Sequence, residues 1–190
     1  WFSTIFGIYF VAGSVVVAIS SIILISLFLR KHGYLSTIIT VEHYHDLGKL
    51  LYGFNIFWTY IAFSQFFLIW YADIPEETVW YLQHFNGSWG IIANFLIIGH
   101  FFVPFLLLMP KAVKRNLKTL GIISGWMIFM HLVDMYWIIM PNISPDGFHF
   151  SINDILCFLG IGGIFLGLVF KRMSKYSLYP HNDPRIEESL

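Results

Sequence analysis

The chain has 190 residues, of which 57% are hydrophobic, 19% aromatic and only 12% charged, and its formal net charge is zero. Soluble domains carry about 25% charged residues, so this excess of apolar side chains is too large for a soluble core to bury. The composition excludes a soluble domain, gives no basis for a nucleic-acid partner and predicts an integral membrane protein. The single cysteine, Cys157, excludes an intrachain disulfide and an iron–sulfur cluster held by this chain alone.

Five apolar stretches are long enough to cross a hydrocarbon core of about 30 Å, which takes about 20 helical residues. They cover residues 2–29, 52–72, 87–109, 119–140 and 150–170. The sequence therefore predicts an all-α membrane domain over residues 1–175, with about five transmembrane helices among membrane lipids. Residues 176–190 are polar and interrupted by proline, and we expect a cytoplasmic C-terminal tail there. Because the sequence enters an apolar stretch at once, without a methionine, we expect it to be part of a longer protein.

The loops alternate in charge. Basic residues follow the first, third and fifth stretches: Arg30, Lys31, Lys49, Lys111, Lys114, Arg115, Lys118, Lys171, Arg172 and Lys175. The other two loops contain no Lys or Arg and carry Asp73, Glu76, Glu77 and Asp146. Since basic loops stay in the cytoplasm, the first, third and fifth stretches should end there. Pro75 followed by two acids is compatible with a short outer helix that could contact an outer redox subunit, although a solvated loop is the favoured interpretation. We expect His84 and His149, in the outer loops, to be exposed or at a subunit contact.

Residues 40–49 (TVEHYHDLGK) predict a short interfacial helix on the cytoplasmic side, ended by Gly48. This segment carries Glu42, His43, His45 and Asp46. A His-x-His pair beside acids is compatible with a metal site, but residues two apart on a helix point in different directions. We therefore predict no metal and favour a mouth that collects protons, with a simple solvated surface as the alternative.

Polar groups within the apolar stretches carry the strongest functional signal. His131 and Asp134 lie three residues apart on one helix face, and an ionisable residue in hydrocarbon costs at least ~2.5 kcal/mol. Counting residues inward from the outer surface gives depths of about 6 Å for Asp154, 8 Å for Asp134, 10 Å for Gln65, 12 Å for His131, 18 Å for Tyr60 and 21 Å for His100. Ser64, beside Gln65, belongs to the same series.

Two interpretations of this graded series of polar residues stay open. The groups could hold the helices together, since hydrogen bonds between membrane helices contribute about 0.6 kcal/mol each. That interpretation suits Ser64 and Gln65, whereas an ionised Asp134 needs a partner, for which His131 is the natural candidate. The pair would then transfer protons or bind a quinone head group. A haem between His100 and His131 is disfavoured because their estimated depths differ by ~9 Å.

Several segments resemble one family of membrane subunits. The stretch LGKLLYGFNIFWTYIAFSQFFLIWYADIPEET at residues 47–78 is the most specific, and GSWG at 87–90, HLVDMYW at 131–137 and LYPHNDPR at 178–185 also fit. They resemble the polysulfide reductase (NrfD-like) subunits of alternative complex III, a bacterial quinol:cytochrome c oxidoreductase. The resemblance covers nearly the whole chain. It is greatest to the C-terminal half of the smaller of the two NrfD-like subunits.

The resemblance implies about ten spans in two four-helix bundles, with one bundle represented in this chain. It implies a bacterial inner-membrane location in a respiratory electron transport chain. The implied partners are a second NrfD-like subunit, an iron–sulfur subunit, haem c subunits and, further along the chain, a terminal cytochrome oxidase. Haem c and iron–sulfur clusters would lie in those partners, and this chain would bind no cofactor, with quinone nearby. Quinol chemistry is assigned mainly to the larger sister subunit.

For this subunit, the resemblance implies a proton path or structural support. The path residues that carry over are His131 and Asp134, with Tyr60, Ser64 and Gln65 as weaker cases. One alternative is a scaffold that docks the other subunits without a proton or quinone site of its own. A secondary transporter ranks last, because the fifth stretch, with Gly160, Gly162, Gly163 and Gly167, resembles a close helix contact more than an unwound binding site.

Overall fold

The computed structural model describes residues 5–36, 38–145 and 147–179. Within those ranges the secondary structure is entirely helical, which confirms the predicted all-α class. The helices are α1 (Ile5–Lys31), α2 (Val41–Ala72), α3 (Pro75–Phe85), α4 (Gly87–Leu96), α5 (Val103–Leu108), α6 (Lys111–Arg115), α7 (Leu117–Ile139) and α8 (Ile152–Met173). A π-helical segment, Ile97–Phe102, joins α4 to α5, and a 3₁₀ turn, Met140–Asn142, follows α7.

Four of these helical stretches are long and apolar enough to cross a membrane. They are Ile5–Lys31, Gly87–Leu108, Leu117–Asn142 and Ile152–Met173, and they coincide with the first, third, fourth and fifth predicted spans. The second predicted span lies within α2, which at 32 residues is the longest helix in the described ranges. It falls outside the four because its Trp, Tyr, Asn and Gln residues lower the mean hydropathy. The membrane class is therefore supported, while the fifth crossing stays a prediction.

The predicted interfacial helix ending at Gly48 is wrong, because α2 runs without interruption through that position. Gly48 is buried, and a Cβ built on it would lie 3.1 Å from the Lys114 side chain. The glycine therefore admits a close contact with α6 and does not end the helix. At Pro75 the structure has the short helix α3, which begins at that proline, and the favoured solvated loop is wrong. Its location on the outer side stays a prediction.

The chain divides into two compact units, the first ending at Phe148 and the second beginning at His149. In the first unit, α1 packs against both α2 and α7. Tyr9 contacts Trp58 at one end of the α1–α2 pair, and Arg30 lies over the Tyr44 ring at the other, so the two helices are antiparallel. Helices α1 and α7 are antiparallel too, because Gly13 meets His131 and Leu27 meets Gly121.

The second unit contains α8. The Ser151 hydroxyl accepts from the Asn153 backbone N–H, and the Asp154 carboxylate accepts from the Ser151 N–H at 2.9 Å. This reciprocal capping satisfies donors that the first helical turn leaves free. No residue of α8 is buried, and its last turn carries Lys171 and Arg172. Most of the predicted tail lies outside the described residues, including all of the LYPHNDPR segment beyond Tyr179.

Candidate functional site

Helix α7 carries Asp134 into the interior of the first unit, where the residue is only 1% exposed. The hydroxyl of Tyr9, on α1, donates a hydrogen bond to Asp134 Oδ1. The predicted partner, His131, lies on the same face, but its Nδ1 is 3.6 Å from Asp134 Oδ2, which is too long for a hydrogen bond. Tyr9 therefore supplies the direct hydrogen bond to the carboxylate, and His131 lies within ion-pair distance of it.

His100 joins this group from the π-helical segment. Its imidazole is fully buried, stacks on Trp58 with ring centroids 3.8 Å apart, and lies 6.2 Å from the His131 ring. The predicted depth difference of ~9 Å between the two histidines was too large, and the objection to haem based on it fails. Residue counting assumes straight helices along the membrane normal, whereas side chains reach along the axis and a π turn changes the local rise.

Pro104 accounts for the irregular backbone around His100. Proline has no N–H to bond the carbonyl four residues earlier, which here belongs to His100, and its ring clashes with that carbonyl. The helix widens instead, and the Val103 N–H bonds the Ile98 carbonyl five residues back. The neighbouring Gly99 carbonyl accepts a hydrogen bond of 2.8 Å from the Trp126 indole. The widened turn is thus fixed by side chains from α7.

Gly13 makes room for His131 against α1. A Cβ built on Gly13 would overlap the His131 ring and lie 2.9 Å from its Nδ1. Any larger residue at this position would push the imidazole off α1. We define Tyr9, His100, His131 and Asp134 as the polar cluster.

The polar cluster contains buried polar atoms that have no hydrogen-bond partner among the described residues. They are both ring nitrogens of His100, Nδ1 of His131 and Oδ2 of Asp134. Buried polar groups in proteins are nearly always paired with protein atoms or water, so such a group calls for an explanation. Four convergent atoms of this kind can bind water, exchange a proton or accept the polar end of a ligand.

The same side chains have the ligand types of a metal site. In the described part of the chain, His100, His131 and Asp134 offer ligand atoms that all lie within 4.8 Å of one another. The three side chains therefore lie close enough to be considered as ligands of one ion. Histidine ligands are usually oriented by an acceptor on the second ring nitrogen. His100 has no such acceptor among the described residues, which favours a hydrogen-bonding cluster over a metal centre.

A cavity of about 490 Å³ opens beside the cluster, within the volume range of small-molecule sites. Aromatic side chains from α1, α2, α3 and α7 line most of it, and Tyr9, Gln65 and Asp134 contribute polar groups. Gln65, one of the predicted path residues, is buried and lies at this cavity, in the same region as Asp134. The cavity could hold a flat apolar molecule whose polar end faces Asp134.

Tyr60 and Ser64, the other predicted path residues of the first unit, do not join the cluster. Tyr60 is 64% exposed, because the buried face of α2 contains Trp58 and two residues further along a helix turn by about 200°. Ser64 is only partly buried. Asp154 acts in the capping of α8, in the second unit.

The residues of the predicted cytoplasmic mouth form local ion pairs and a hydrogen bond that caps the start of α2. Glu42 pairs with Arg115, Asp46 pairs with Lys49 at 2.6 Å, and the Thr40 N–H donates to His43 Nδ1. The hydrogen bond from Lys49 lowers the pKa of Asp46, and burial, followed by the charge of Lys49, lowers the pKa of His45. These residues tie the start of α2 to α6. Their role in collecting protons stays a prediction.

The prediction that His84 is exposed or at a subunit contact is wrong. His84 is fully buried in α3, with its ring nitrogens 2.7 Å from the Trp80 carbonyl and 3.3 Å from the Ile138 carbonyl. Its ring also stacks on Trp80. Burial lowers the pKa of His84, which favours the neutral imidazole. The loop position was misleading because α3 folds back onto the end of α7.

Tyr9 and Trp58 are the cluster contacts that the sequence did not indicate. Tyrosine and tryptophan are common at membrane interfaces, so neither one stands out in an aromatic-rich chain. The pattern Tyr9, Ala12, Gly13, Val16 does mark a face of α1 at helical spacing, and all four residues are buried. That face was the available signal for a close contact with α7.

Comparison of the sequence with protein-family models and with curated proteins finds no match in either case.

Proposed function

We propose that this chain is an integral membrane subunit of a bacterial quinol:cytochrome c oxidoreductase of the alternative complex III type, and that its polar cluster conducts protons coupled to quinol oxidation. The sequence resemblance supports the type of complex. The four membrane-length helices support the membrane location. In this proposal the partner subunits carry the haem c and iron–sulfur groups, and Lys171 and Arg172 at the end of α8 keep the C-terminus in the cytoplasm.

The observation that carries the proposal is the contact of four ionisable side chains inside the first unit. Tyr9 bonds Asp134, His131 lies beside Asp134, and His100 lies beside His131. A phenol, a carboxylate and two imidazoles can each bind and release a proton. Ionisable groups at membrane depth typically mark ion or proton pathways. A proton would pass along this series with only small rotations of the side chains.

The cavity beside Asp134 supports a second candidate, a quinone-proximal site. Its aromatic lining fits a planar ring, and Tyr9, Gln65 and Asp134 could hydrogen-bond a quinol hydroxyl or quinone carbonyl. In that case Asp134 would accept the proton of the quinol directly. The two candidates share the carboxylate and differ in where its proton comes from.

The deciding experiment is Asp134→Asn in the assembled complex, reconstituted into vesicles. The amide retains an acceptor for Tyr9 but cannot bind and release a proton, so we expect proton uptake to fall about tenfold or more. Asp73→Asn, at the exposed end of α2, is the matched control and should leave uptake unchanged. Quinol oxidation and subunit content are measured on the same samples.

The outcomes separate the alternatives. Unchanged proton uptake and quinol oxidation in Asp134→Asn would remove the cluster from the mechanism. Poor assembly with full turnover per assembled complex would favour the scaffold. Ala62→Phe, which fills the cavity without changing an ionisable group, should spare proton uptake if quinol binds elsewhere. Loss of quinol affinity in that variant would favour the quinone-proximal site.

A further inference from the structure

Three more buried polar side chains lie on the basic side of the polar cluster, toward the Arg30 end of α1. Asn55 on α2, Ser20 on α1 and Tyr44 on α2 are each fully buried. Both side-chain atoms of the Asn55 amide, the Ser20 hydroxyl and the Tyr44 hydroxyl have no hydrogen-bond partner among the described residues. None of the three stands out in the sequence.

Asn55 lies next to the cluster. It precedes Trp58 by three residues on the same face of α2, which is a displacement of about 4.5 Å along the axis. Trp58 stacks directly on His100. The amide is therefore one helical turn from the His100 ring, on its Lys49 side.

Two contacts fix the level of Ser20. Gly13 meets His131, and further along α1 Leu27 meets Gly121. Ser20 lies midway between Gly13 and Leu27. The corresponding midpoint of α7 is Trp126, and Ser124, about 3 Å nearer Gly121 along the axis, is fully buried as well. Ser124 donates to the Leu120 carbonyl at 2.9 Å, and its oxygen can still accept a hydrogen bond.

Tyr44 completes the series near the basic end. Its ring lies 6.0 Å below the Arg30 guanidinium, and Arg30 also donates to the Ile39 carbonyl at 2.5 Å. Apolar side chains pack around Tyr44, including Ile23, Leu51 and Met127. The polar atoms are thus spread over successive levels of the helices between His100 and Arg30, within an apolar interior.

We propose that Asn55, Ser20, Ser124 and Tyr44 bind a file of internal water molecules that extends the proton path from the polar cluster to the Arg30 end of the bundle. A buried water typically makes about three hydrogen bonds to polar groups that would otherwise be unpaired. The four side chains supply such groups at successive levels of α1, α2 and α7. This inference rests on the proposed function, since the cluster is the other end of the path.

The test uses Asn55→Leu and Ser20→Ala in the assembled complex. Two quantities are measured: proton uptake in vesicles, and the infrared difference band of weakly bonded water, identified by its shift in H₂¹⁸O. We expect both variants to assemble. Asn55→Leu should lower uptake about tenfold or more, and the water band should weaken in each variant. Ser20→Thr, which restores a hydroxyl, should recover the proton uptake and the water band that Ser20→Ala loses.

Ser26→Ala is the matched control. Ser26 lies on the same helix and is buried, but its hydroxyl already donates to the Ile23 carbonyl at 2.9 Å. We expect its proton uptake to stay within about twofold of the unmodified complex. Equal losses in Ser20→Ala and Ser26→Ala would overturn the inference, because any small serine change would then suffice.

Wild-type uptake and an unchanged water band in both Asn55→Leu and Ser20→Ala would also overturn it. That result leaves the proposed function intact if Asp134→Asn still abolishes uptake. If Asp134→Asn has no effect while Asn55→Leu removes the water band, the waters are structural, and the proposed function fails together with the extended path. Should Asn55→Leu not assemble, Ser20→Ala and Ser20→Thr decide the question alone.

Discussion

The position of the His131 ring depends on Gly13, a residue to which it makes no hydrogen bond. Gly13 leaves the surface of α1 open where the imidazole rests, and the same glycine sits one turn beyond Tyr9. One helix face therefore supplies both the hydrogen bond to Asp134 and the space for His131. The two contacts together set the distance between the carboxylate and the imidazole.

We expect Gly13→Ala to lower proton uptake while leaving the helices formed. Alanine is up to about 1 kcal/mol better than glycine in a helix, but its Cβ would overlap the His131 ring. The ring must move or α1 and α7 must separate, and either change lengthens the path between His131 and Asp134. Uptake and thermal stability of the assembled complex are the measurements.

Gly125→Ala is the control for this substitution, because a Cβ at Gly125 meets nothing within 4 Å in the described chain. It should retain uptake and could gain stability from helix propensity alone. Equal uptake in Gly13→Ala and the unmodified complex would show that the His131 position does not limit proton transfer.

Sequence reasoning found His131 and Asp134 because ionisable residues are rare within membrane-length apolar stretches. Their pairing is supported, since the two side chains lie 3.6 Å apart, but spacing on one helix says nothing of side chains from other helices. Tyr9 is 125 residues from Asp134, so only the packed structure can bring them together. The prediction for His84 was wrong because its position in a polar loop gave no sign of the aromatic side chains that bury it.

At the level of elements, the third predicted span is one apolar stretch whose central part is a π-helix. The stretch Gly87–Leu108 contains α4, the π-helical segment and α5. π segments inside α-helices are frequent at functional sites, where the wider turn redirects side chains. Here the redirected side chain is His100.

We expect Pro104→Ala to return this segment to regular α-helix. Alanine restores the N–H that proline lacks and removes the ring clash with the His100 carbonyl. The His100 imidazole would then rotate away from Trp58 and His131, so proton uptake should fall while the helix itself becomes more stable. Pro110→Ala, at the exposed start of α6, should change neither property. A regular helix by hydrogen exchange together with normal uptake would contradict the role of the π turn.

Element boundaries were predicted well where apolar runs end at charged loops, and poorly where a glycine or proline has a packing role. Gly48 looked like a helix terminus and instead admits Lys114. Lys114 in turn donates to the Leu108 and Met109 carbonyls at the end of α5. A lysine that caps another helix cannot be told from a solvated lysine by sequence alone.

For the whole molecule, the number of crossings depends on α2. If α2 crosses the membrane, the basic ends of α1 and α6 lie on one side, with α3 on the other. If it does not, Arg30 and Lys114 would face opposite sides, although α2 connects the two regions through the Glu42–Arg115 ion pair. Its residues 52–72 would extend about 32 Å as a helix, close to the hydrocarbon thickness.

We expect Lys49→Cys and Asp73→Cys, each in a Cys157→Ser background, to label from opposite sides of the membrane. An impermeant maleimide added to right-side-out vesicles should modify Asp73→Cys at once, because the charge of the loops predicts that α3 and its acidic residues lie outside. Lys49→Cys should react only after the vesicles are opened. Labelling of both from the same side would exclude a crossing by α2.

The hydrogen bond between Tyr9 and Asp134 also bears on how the protein is made. Membrane helices insert as separate units and associate afterwards, so α7 enters the bilayer with its carboxylate unsatisfied. Helix α1 comes first in the chain, and its phenol is therefore already in place when α7 arrives. Docking of α7 on α1 supplies a hydrogen-bond donor to the carboxylate, so a chain in which this contact has not formed still exposes an unpaired acid to lipid.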